Sequence, residues 1–171
     1  MATKIGAGGH RQNYDPRTGR YAKTTFPGLV KLPPTRKEKA QRREELRRLE
    51  LFNRAKKSRD KYVFEVYLAI ENELPGEVCL VNDFRFDTTI NNVRELDIVT
   101  KKCIIEIKGG TGSRNTHQLL AQKRFAEMKK KQHVLFAPEI SYRNEGRYKK
   151  HGIEIKRDIK TLIQFIKENK Q

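Results

Sequence analysis

Residues 93–110 read V-R-E-L-D-I-V-T-K-K-C-I-I-E-I-K-G-G, and this stretch organises the interpretation of the whole chain. Two short apolar runs, residues 96–99 and 103–107, are long enough for strands but too short for helices. The polar residues Thr100-Lys101-Lys102 separate the two runs. The pattern therefore predicts a β-hairpin.

Each predicted strand is interrupted by one acid, Asp97 in the first and Glu106 in the second. Lys108 follows Glu106 by two residues, so both side chains leave the same face of the strand. An acid in an apolar strand costs several kcal/mol unless something pairs with it. Two acids and a lysine on one hairpin face are suited to holding a hard divalent cation. The hairpin is therefore a candidate metal site.

The acid-x-Lys triplet alone is weak evidence in so charged a chain. It occurs at Glu106-Ile-Lys108, Glu127-Met-Lys129, Glu154-Ile-Lys156, Asp158-Ile-Lys160 and Glu168-Asn-Lys170. Three of these fall on predicted helices, where the acid and the lysine do not project together. Glu154-Ile-Lys156 lacks a preceding apolar strand with an aspartate, so we interpret it as structural. The combination of Glu106 and Lys108 with Asp97 on the preceding strand is therefore the stronger evidence for a site.

The charge balance points to a polyanionic partner. Lys and Arg number 38 against 21 Asp and Glu, which gives a net charge of +17. This excess favours nucleic acid over a merely solvated basic surface. The sequence shows neither a run of about 18 apolar residues nor an apolar signal-peptide core. We therefore expect no membrane partner and a cytoplasmic protein.

Three regions are predicted along the chain: a flexible basic tail over residues 1–34, a basic helical extension over 35–60, and a folded domain over 61–171. Glycines and prolines break any periodicity in the tail, and a disordered linker is favoured over a segment that follows a phosphate backbone. The extension is either a solvated helix, which Thr35 would cap, or a basic arm along nucleic acid.

Within the folded domain, a buried helix is predicted over residues 61–74, and Glu65 lies among its apolar residues. Such a carboxylate either reaches solvent or belongs to a site, and the nearby hairpin favours a site. Residues 82–89 form either part of a strand or an active-site loop. A helix over 116–130 places Gln118, Gln122 and Lys123 near the end of the hairpin, although exposed surface residues are the default explanation for all three.

The remaining segments predict a strand over 133–138, a polar basic loop over 141–152, a strand over 153–155 and an amphipathic helix over 157–169. The order of elements implies an α/β fold with helices on both faces of a sheet. Aromatic and basic residues alternate in the loop, as in a nucleic-acid contact. The predicted nucleic-acid-binding residues are Arg114, Lys123, Arg143, Arg147 and Lys149.

The pattern E-L-D-I-V…C-I-I-E-I-K-G-G resembles the PD-(D/E)XK, or restriction-endonuclease-like, nuclease superfamily, in particular its small Holliday-junction-resolvase-like members and bacterial toxin nucleases. The resemblance covers about residues 62–138. It implies a core of helix, three-stranded antiparallel meander, helix and strand, here with an N-terminal basic helix and a flexible tail. Leu96 replaces the proline of the family name, a departure that is common in the superfamily.

The resemblance implies a role for each matched residue. Asp97 and Glu106 would be metal ligands for Mg²⁺ or Mn²⁺, and Lys108 would be the cation that activates water. Glu65 would be the helical acid and a third metal ligand. Gln118 matches the polar residue often found on the following helix, and Glu95 matches an acid that precedes the aspartate in the resolvase-like subset.

These observations predict a metal-dependent endonuclease that hydrolyses phosphodiester bonds of DNA. The alternatives are a tRNA-cleaving toxin effector, which would have an immunity protein as partner and act in a target cell's cytoplasm, and a non-catalytic nucleic-acid-binding protein of the same fold. A phage, mobile-element or repair nuclease fits the same chemistry. Cutting of both DNA strands would favour a homodimer.

Overall fold

The computed structural model describes residues 4–5, 11–15, 20–22, 34–87, 92–110 and 116–169. The chain divides into two compact units, Met1–Lys39 and Ala40–Gln171.

The first unit contains three short strands: β1 (Lys4–Ile5), β2 (Arg11–Asp15) and β3 (Arg20–Ala22). They form an antiparallel sheet in the order β1-β2-β3, with Tyr14 opposite Tyr21 in the register. This corrects the prediction of an unstructured tail for these strand residues. Glycines and prolines limit the strands to a few residues each, but short segments still pair through their backbones.

The elements that follow are α1 (Arg36–Lys56), α2 (Lys61–Glu73), β4 (Val78–Asp87), β5 (Asn92–Thr100), β6 (Cys103–Ile107), α3 (Thr116–Met128), β7 (Gln132–Phe136), α4 (Tyr142–Lys150), β8 (Glu154–Lys156) and α5 (Ile159–Glu168). Two caps explain where the first two helices begin. Thr35 Oγ1 accepts from Glu38 N and Glu38 Oε2 accepts from Thr35 N, which is a capping box. Asp60 caps α2 by accepting from Tyr62 N.

Strands β4 to β8 form one mixed sheet in chain order. β4, β5 and β6 are antiparallel neighbours, whereas β6, β7 and β8 are parallel. The predicted α/β class is therefore confirmed. β4 runs on to Asp87, so residues 82–87 are strand; residues 88–91 lie outside the described part of the chain.

Helices cover both faces of this sheet. On one face, α1, α2 and α5 enclose a core of alternating strand residues that includes Ile98, Ile105, Ile107, Val134 and Phe136. On the other face, residues of α3 and α4 pack in two smaller clusters, one with Leu96, Val99 and Ile104, the other with Leu135 and Ile153. The alternation along β6 thus directs Ile105 and Ile107 towards α2, and Ile104 and Glu106 towards α3.

Helix α4 replaces the polar loop that was predicted over residues 141–152. Ser141 Oγ accepts from Asn144 N and so caps the helix. Tyr148 anchors it, because its side chain is buried against Leu119 and Leu135. A single buried aromatic among charged residues was too little apolar periodicity to indicate a helix.

Candidate active site

The β5–β6 hairpin brings Asp97 close to Glu106. Ile98 pairs with Ile105 and Val99 with Ile104, and Asp97 directly precedes this paired segment. Asp97 Oδ2 accepts from Ile107 N at 2.7 Å, so its carboxyl group lies beside the residue that follows Glu106. Burial, followed by the negative charge of Glu106, raises the pKa of Asp97. The two acids are therefore neighbours.

Glu106 is held by three side-chain donors. Its side chain is only 2% exposed, Lys108 Nζ lies 2.5 Å from Oε1, and Gln118 Nε2 donates to the same oxygen at 3.3 Å. Gln122 Nε2 donates to Oε2 at 2.6 Å. Donors to both oxygens satisfy a carboxylate that would otherwise be costly to bury. The structure thus brings Glu106, Lys108 and Gln118 together.

Gln122 is the site residue that the sequence interpretation left unassigned. Its side chain is completely buried, and Nε2 also donates to the carbonyl oxygen of Glu95 at 3.1 Å. Gln122 follows Gln118 by one helical turn, so both amides face the sheet. The i, i+4 spacing of Gln118 and Gln122 was the feature of the sequence that could have indicated a shared site. Polar residues on a helix are usually exposed, so the spacing alone did not single out Gln122.

Asp97 carries the strongest electrostatic perturbation in the site. Burial raises its pKa to about 8, the negative charge of Glu106 and that of Glu95 add to the increase, and a hydrogen bond from Ile107 N to Oδ2 at 2.7 Å and the charge of Lys108 oppose it. With its pKa at about 8, Asp97 holds a proton at neutral pH when no cation is present. Burying two neighbouring acids is unfavourable for folding, and a bound cation would reduce the repulsion between Asp97 and Glu106.

Lys108 remains a cation in this environment. Burial lowers its pKa, but the charge and the hydrogen bond of Glu106, together with the charges of Asp97 and Tyr148, raise it to a net value above the ordinary one. An ammonium group with a raised pKa orients ligands and stabilises negative charge better than it removes protons. This ammonium group is therefore suited to orienting a water and stabilising negative charge.

Gly109, which directly follows Lys108, contacts the start of α2. Asp60 Oδ2 accepts from Gly109 N at 3.0 Å, while Asp60 Oδ1 caps the helix. A Cβ atom at Gly109 would lie 3.1 Å from Asp60 Oδ2 and 3.2 Å from Tyr62 Cδ2. Gly109 therefore packs closely against the start of α2, where an added Cβ atom would require the side chains of Asp60 and Tyr62 to shift slightly.

Glu65 does not join the acids of the hairpin. Its side chain is exposed on α2, and α2 packs on the sheet face opposite to Glu106. Among the described residues, no group of three or more His, Cys, Asp or Glu side chains is arranged to hold a metal ion. The prediction of Glu65 as a third ligand is thus corrected: the residues that α2 buries are its neighbours Val63 and Val66.

The predicted nucleic-acid-binding cations have different surroundings. Lys123 Nζ donates to the carbonyl oxygens of Gly152 at 2.8 Å and His151 at 3.4 Å, so this ammonium group holds the turn after α4. Lys149 pairs with Glu145 at 2.8 Å. Arg143 and Arg147 are exposed on α4. Arg114 lies outside the described residues.

The donor set suits Mg²⁺ or Mn²⁺ with two protein ligands. Mg²⁺ usually keeps several water ligands and takes only one or two carboxylates together with substrate phosphate oxygens. Asp97 and Glu106 supply two neighbouring carboxyl groups, and burial together with the negative charge of Glu106 raises the pKa of Asp97. The two acids therefore fit such an ion without Glu65.

Comparison of the chain with protein-family models, with curated proteins and with solved structures found no match. In the described part of the chain, no helix is both long and apolar enough to cross a membrane.

Proposed function

We propose that the protein is a metal-dependent endonuclease that hydrolyses phosphodiester bonds of DNA. The observation that carries this proposal is the arrangement of Asp97, Glu106 and Lys108 at the end of the β5–β6 hairpin. Two adjacent acids with a cation at 2.5 Å from one of them form a costly arrangement, which a structural role does not require. Such sites are more often functional.

We further propose that the chain is a divergent member of the PD-(D/E)XK superfamily. The support is the motif together with the order of elements, in which α2 precedes an antiparallel meander of β4, β5 and β6, followed by α3 and the parallel strand β7. β8 and α5 extend this arrangement. The polar residue expected on the helix after the hairpin has a counterpart in Gln118, which contacts Glu106.

In the proposed reaction a water oxygen bonds to phosphorus while the bond from phosphorus to one sugar oxygen breaks. The water loses a proton to solvent, and the released sugar oxygen takes up a proton and leaves as a hydroxyl group, so one water is consumed for each cut. Asp97 and Glu106 would hold a divalent ion, which when bound supplies charge compensation at the phosphate and an acidified water. The Lys108 ammonium group would orient the attacking water and stabilise the negative charge that develops on the phosphate oxygens.

The two α3 amides would support this chemistry by fixing Glu106. Gln118 and Gln122 donate to different oxygens of the carboxylate, so it cannot rotate without losing a hydrogen bond. Fixed ligands lower the reorganisation needed at each turnover. The net charge of +17 would supply affinity for phosphates that does not depend on base sequence and that weakens steeply with salt.

A cleavage assay tests the proposal. Purified protein is incubated with supercoiled plasmid, single-stranded DNA and total tRNA, each with Mg²⁺ or with EDTA. We expect Mg²⁺-dependent cleavage of DNA by the wild type and a loss of about 10²-fold or more in Asp97→Asn. Asp83→Asn, on the neighbouring strand β4, is the matched control and should retain activity.

Two other outcomes have definite meanings. Mg²⁺-dependent cleavage of tRNA without cleavage of either DNA would overturn the assignment of DNA as substrate and establish an RNA endonuclease. Binding of nucleic acid with no EDTA-sensitive cleavage of any substrate would overturn the enzymatic proposal in favour of a non-catalytic nucleic-acid-binding protein.

A further inference from the structure

Helix α4 separates its charged residues into two groups. Glu145 pairs with Lys149 at 2.8 Å and with Arg157 from the segment before α5. Arg143, Arg147 and Lys150 are spaced at i, i+4 and i+7, which places them on one face of the helix. All three side chains are exposed, and within the described residues none of them forms an ion pair. We call these three residues the α4 stripe.

The charges of the α4 stripe are partly unfavourable for the stability of helix α4. Like charges at i, i+4 repel each other on a helix surface. Arg147 and Lys150 lie in the last turn, where the helix dipole favours cations, but Arg143 lies in the first turn, where the dipole opposes a positive charge. Helix stability therefore explains two of the three positions and leaves Arg143 unexplained. An external anion along this face would compensate all three.

Packing fixes α4 on the sheet face that carries the candidate active site. Tyr148 is 1% exposed and packs against Leu119 and Leu135. Leu119 follows Gln118, which contacts Glu106, and Leu135 is the register partner of Glu106. α4 thus lies on the face of the sheet that carries Glu106.

The end of α4 is also attached to α3, the helix whose glutamines contact Glu106. Lys123 of α3 binds the carbonyl oxygens of His151 and Gly152, which directly follow α4. Hydrogen bonds at this end and a buried aromatic ring in the same turn hold the helix in place. The stripe therefore occupies a defined position next to α3 and does not lie on a free loop.

From this arrangement we propose that the α4 stripe binds the phosphodiester backbone of the same duplex DNA that the site at Asp97, Glu106 and Lys108 cleaves. The inference rests on the proposed function for the identity of the substrate. With a rise of 1.5 Å per residue, the stripe extends over about 10 Å, a length that reaches several successive phosphates of one strand. Phosphate contacts of this kind set position and affinity and carry no base specificity.

Binding is measured without cleavage, so the test does not depend on catalysis. Fluorescence anisotropy gives the Kd of full-length protein for a labelled DNA duplex in EDTA over a series of salt concentrations. The test variant is Arg143→Ser/Arg147→Ser/Lys150→Ser. The matched control is Lys101→Ser/Lys102→Ser/Lys160→Ser, which removes the same charge from exposed positions in the β5–β6 turn and on α5. Circular dichroism verifies that both variants are folded.

We expect the α4 variant to bind duplex DNA about 10-fold or more weakly and to lower the slope of log K against log salt by about 2 to 3, because each lost phosphate contact removes about 0.9. The control variant should retain most of the affinity and the slope. Equal weakening in both variants would show a general charge effect and would overturn the proposal, as would unchanged binding in the α4 variant.

A single-stranded RNA of the same length serves as a second probe. Binding of this RNA that depends on the stripe, with no binding of duplex DNA, would overturn duplex DNA as the ligand. The failure of the proposed function is distinguishable, because duplex binding that depends on α4 but is never followed by Mg²⁺-dependent cleavage would support the stripe and reject the nuclease.

Discussion

The side-chain amide of Gln122 donates to Glu106 at 2.6 Å, and both side chains are almost completely buried between α3 and the sheet. Glu106 receives its other donors, Lys108 and Gln118, on the opposite carboxylate oxygen. Among the residues that the structure describes, Gln122 is the side chain that donates to Glu106 Oε2. Its loss would leave that oxygen buried without this partner.

Replacing Gln122 by leucine should destabilise the protein by about 1–3 kcal/mol, the cost of an unsatisfied buried polar group. Urea unfolding measures the change. The control is Gln164→Leu, where an exposed amide donates to Glu168 on the surface of α5, and we expect that change to have little effect. Equal effects of the two substitutions would show that the buried hydrogen bond contributes nothing.

Asp97 should make folding less favourable as the pH rises in the absence of metal. Its pKa of about 8 in the folded protein lies above the ordinary 3.8, so between these values the folded protein holds a proton that the unfolded chain has lost. The free energy of unfolding contributed by Asp97 therefore falls from about pH 4 to about pH 8.

Asp97→Asn removes this titration, and in EDTA it should raise the free energy of unfolding by at least about 1 kcal/mol more at pH 8 than at pH 5. Urea unfolding at both pH values measures the gain. A variant that is equally stable relative to wild type at both pH values would contradict the raised pKa.

His133 should destabilise the protein at acid pH. Both ring nitrogens are buried without hydrogen-bond partners among the described residues, and burial, together with the charge of Lys123, lowers its pKa to about 4 from the ordinary 6.5. Between these values the unfolded chain binds a proton that the folded protein does not. The contribution of His133 to the free energy of unfolding therefore falls as the pH is lowered from 6.5 to 4.

The comparison of wild type with His133→Leu isolates this effect. The difference in free energy of unfolding should change by roughly 3 kcal/mol between pH 7.5 and pH 4, in favour of the variant at low pH. His151→Leu, at an exposed position, is the control. A difference that does not vary with pH would show that His133 is protonated equally in the folded and unfolded states.

Two glycines should respond to alanine in opposite directions. Gly109→Ala places a Cβ atom 3.1 Å from Asp60 Oδ2, so the start of α2 must shift, and we expect a loss of about 1–2 kcal/mol. Gly146 lies within α4 with nothing within 4 Å of a Cβ atom, so Gly146→Ala should stabilise the helix by about 0.5–1 kcal/mol. Thermal unfolding of both variants checks the signs, and a stabilised Gly109→Ala would contradict the packing described for that turn.

The hairpin was predictable because its signal is local. Acids within apolar strands are rare, and the alternation along a strand determines that Glu106 and Lys108 share a face. The proximity of Asp97 to Glu106 then follows from a short turn. Glu65 was not predictable in the same way, because α2 is apolar on several sides and the sequence does not reveal which residue faces solvent.

Gln122 and α4 required three-dimensional context. An amide on a helix looks the same in sequence whether it contacts water or a buried carboxylate, so only the packing of α3 on the sheet distinguishes Gln122 from a surface residue. α4 lacks an apolar stripe, and its position depends on one buried tyrosine, a cap at Ser141 and hydrogen bonds from Lys123. These contacts bring together residues that are distant in the chain.

The most direct test of the central claim compares two lysines in identical triplets. Lys108 and Lys156 each stand two residues after a glutamate that lies on a strand, Lys108 just past the end of β6 and Lys156 at the end of β8. Each pairs with that glutamate, at 2.5 Å and 2.8 Å respectively. Lys108 lies in the candidate site, whereas Lys156 lies on β8 over the ring of Phe165. The measurement is the single-turnover rate of Mg²⁺-dependent cleavage of duplex DNA by Lys108→Met and Lys156→Met.

We predict that Lys108→Met cleaves about 10²-fold or more slowly than wild type while still binding DNA. Lys156→Met should cleave at the wild-type rate. Equal rates for the two variants, or a wild type without EDTA-sensitive cleavage, would contradict the account.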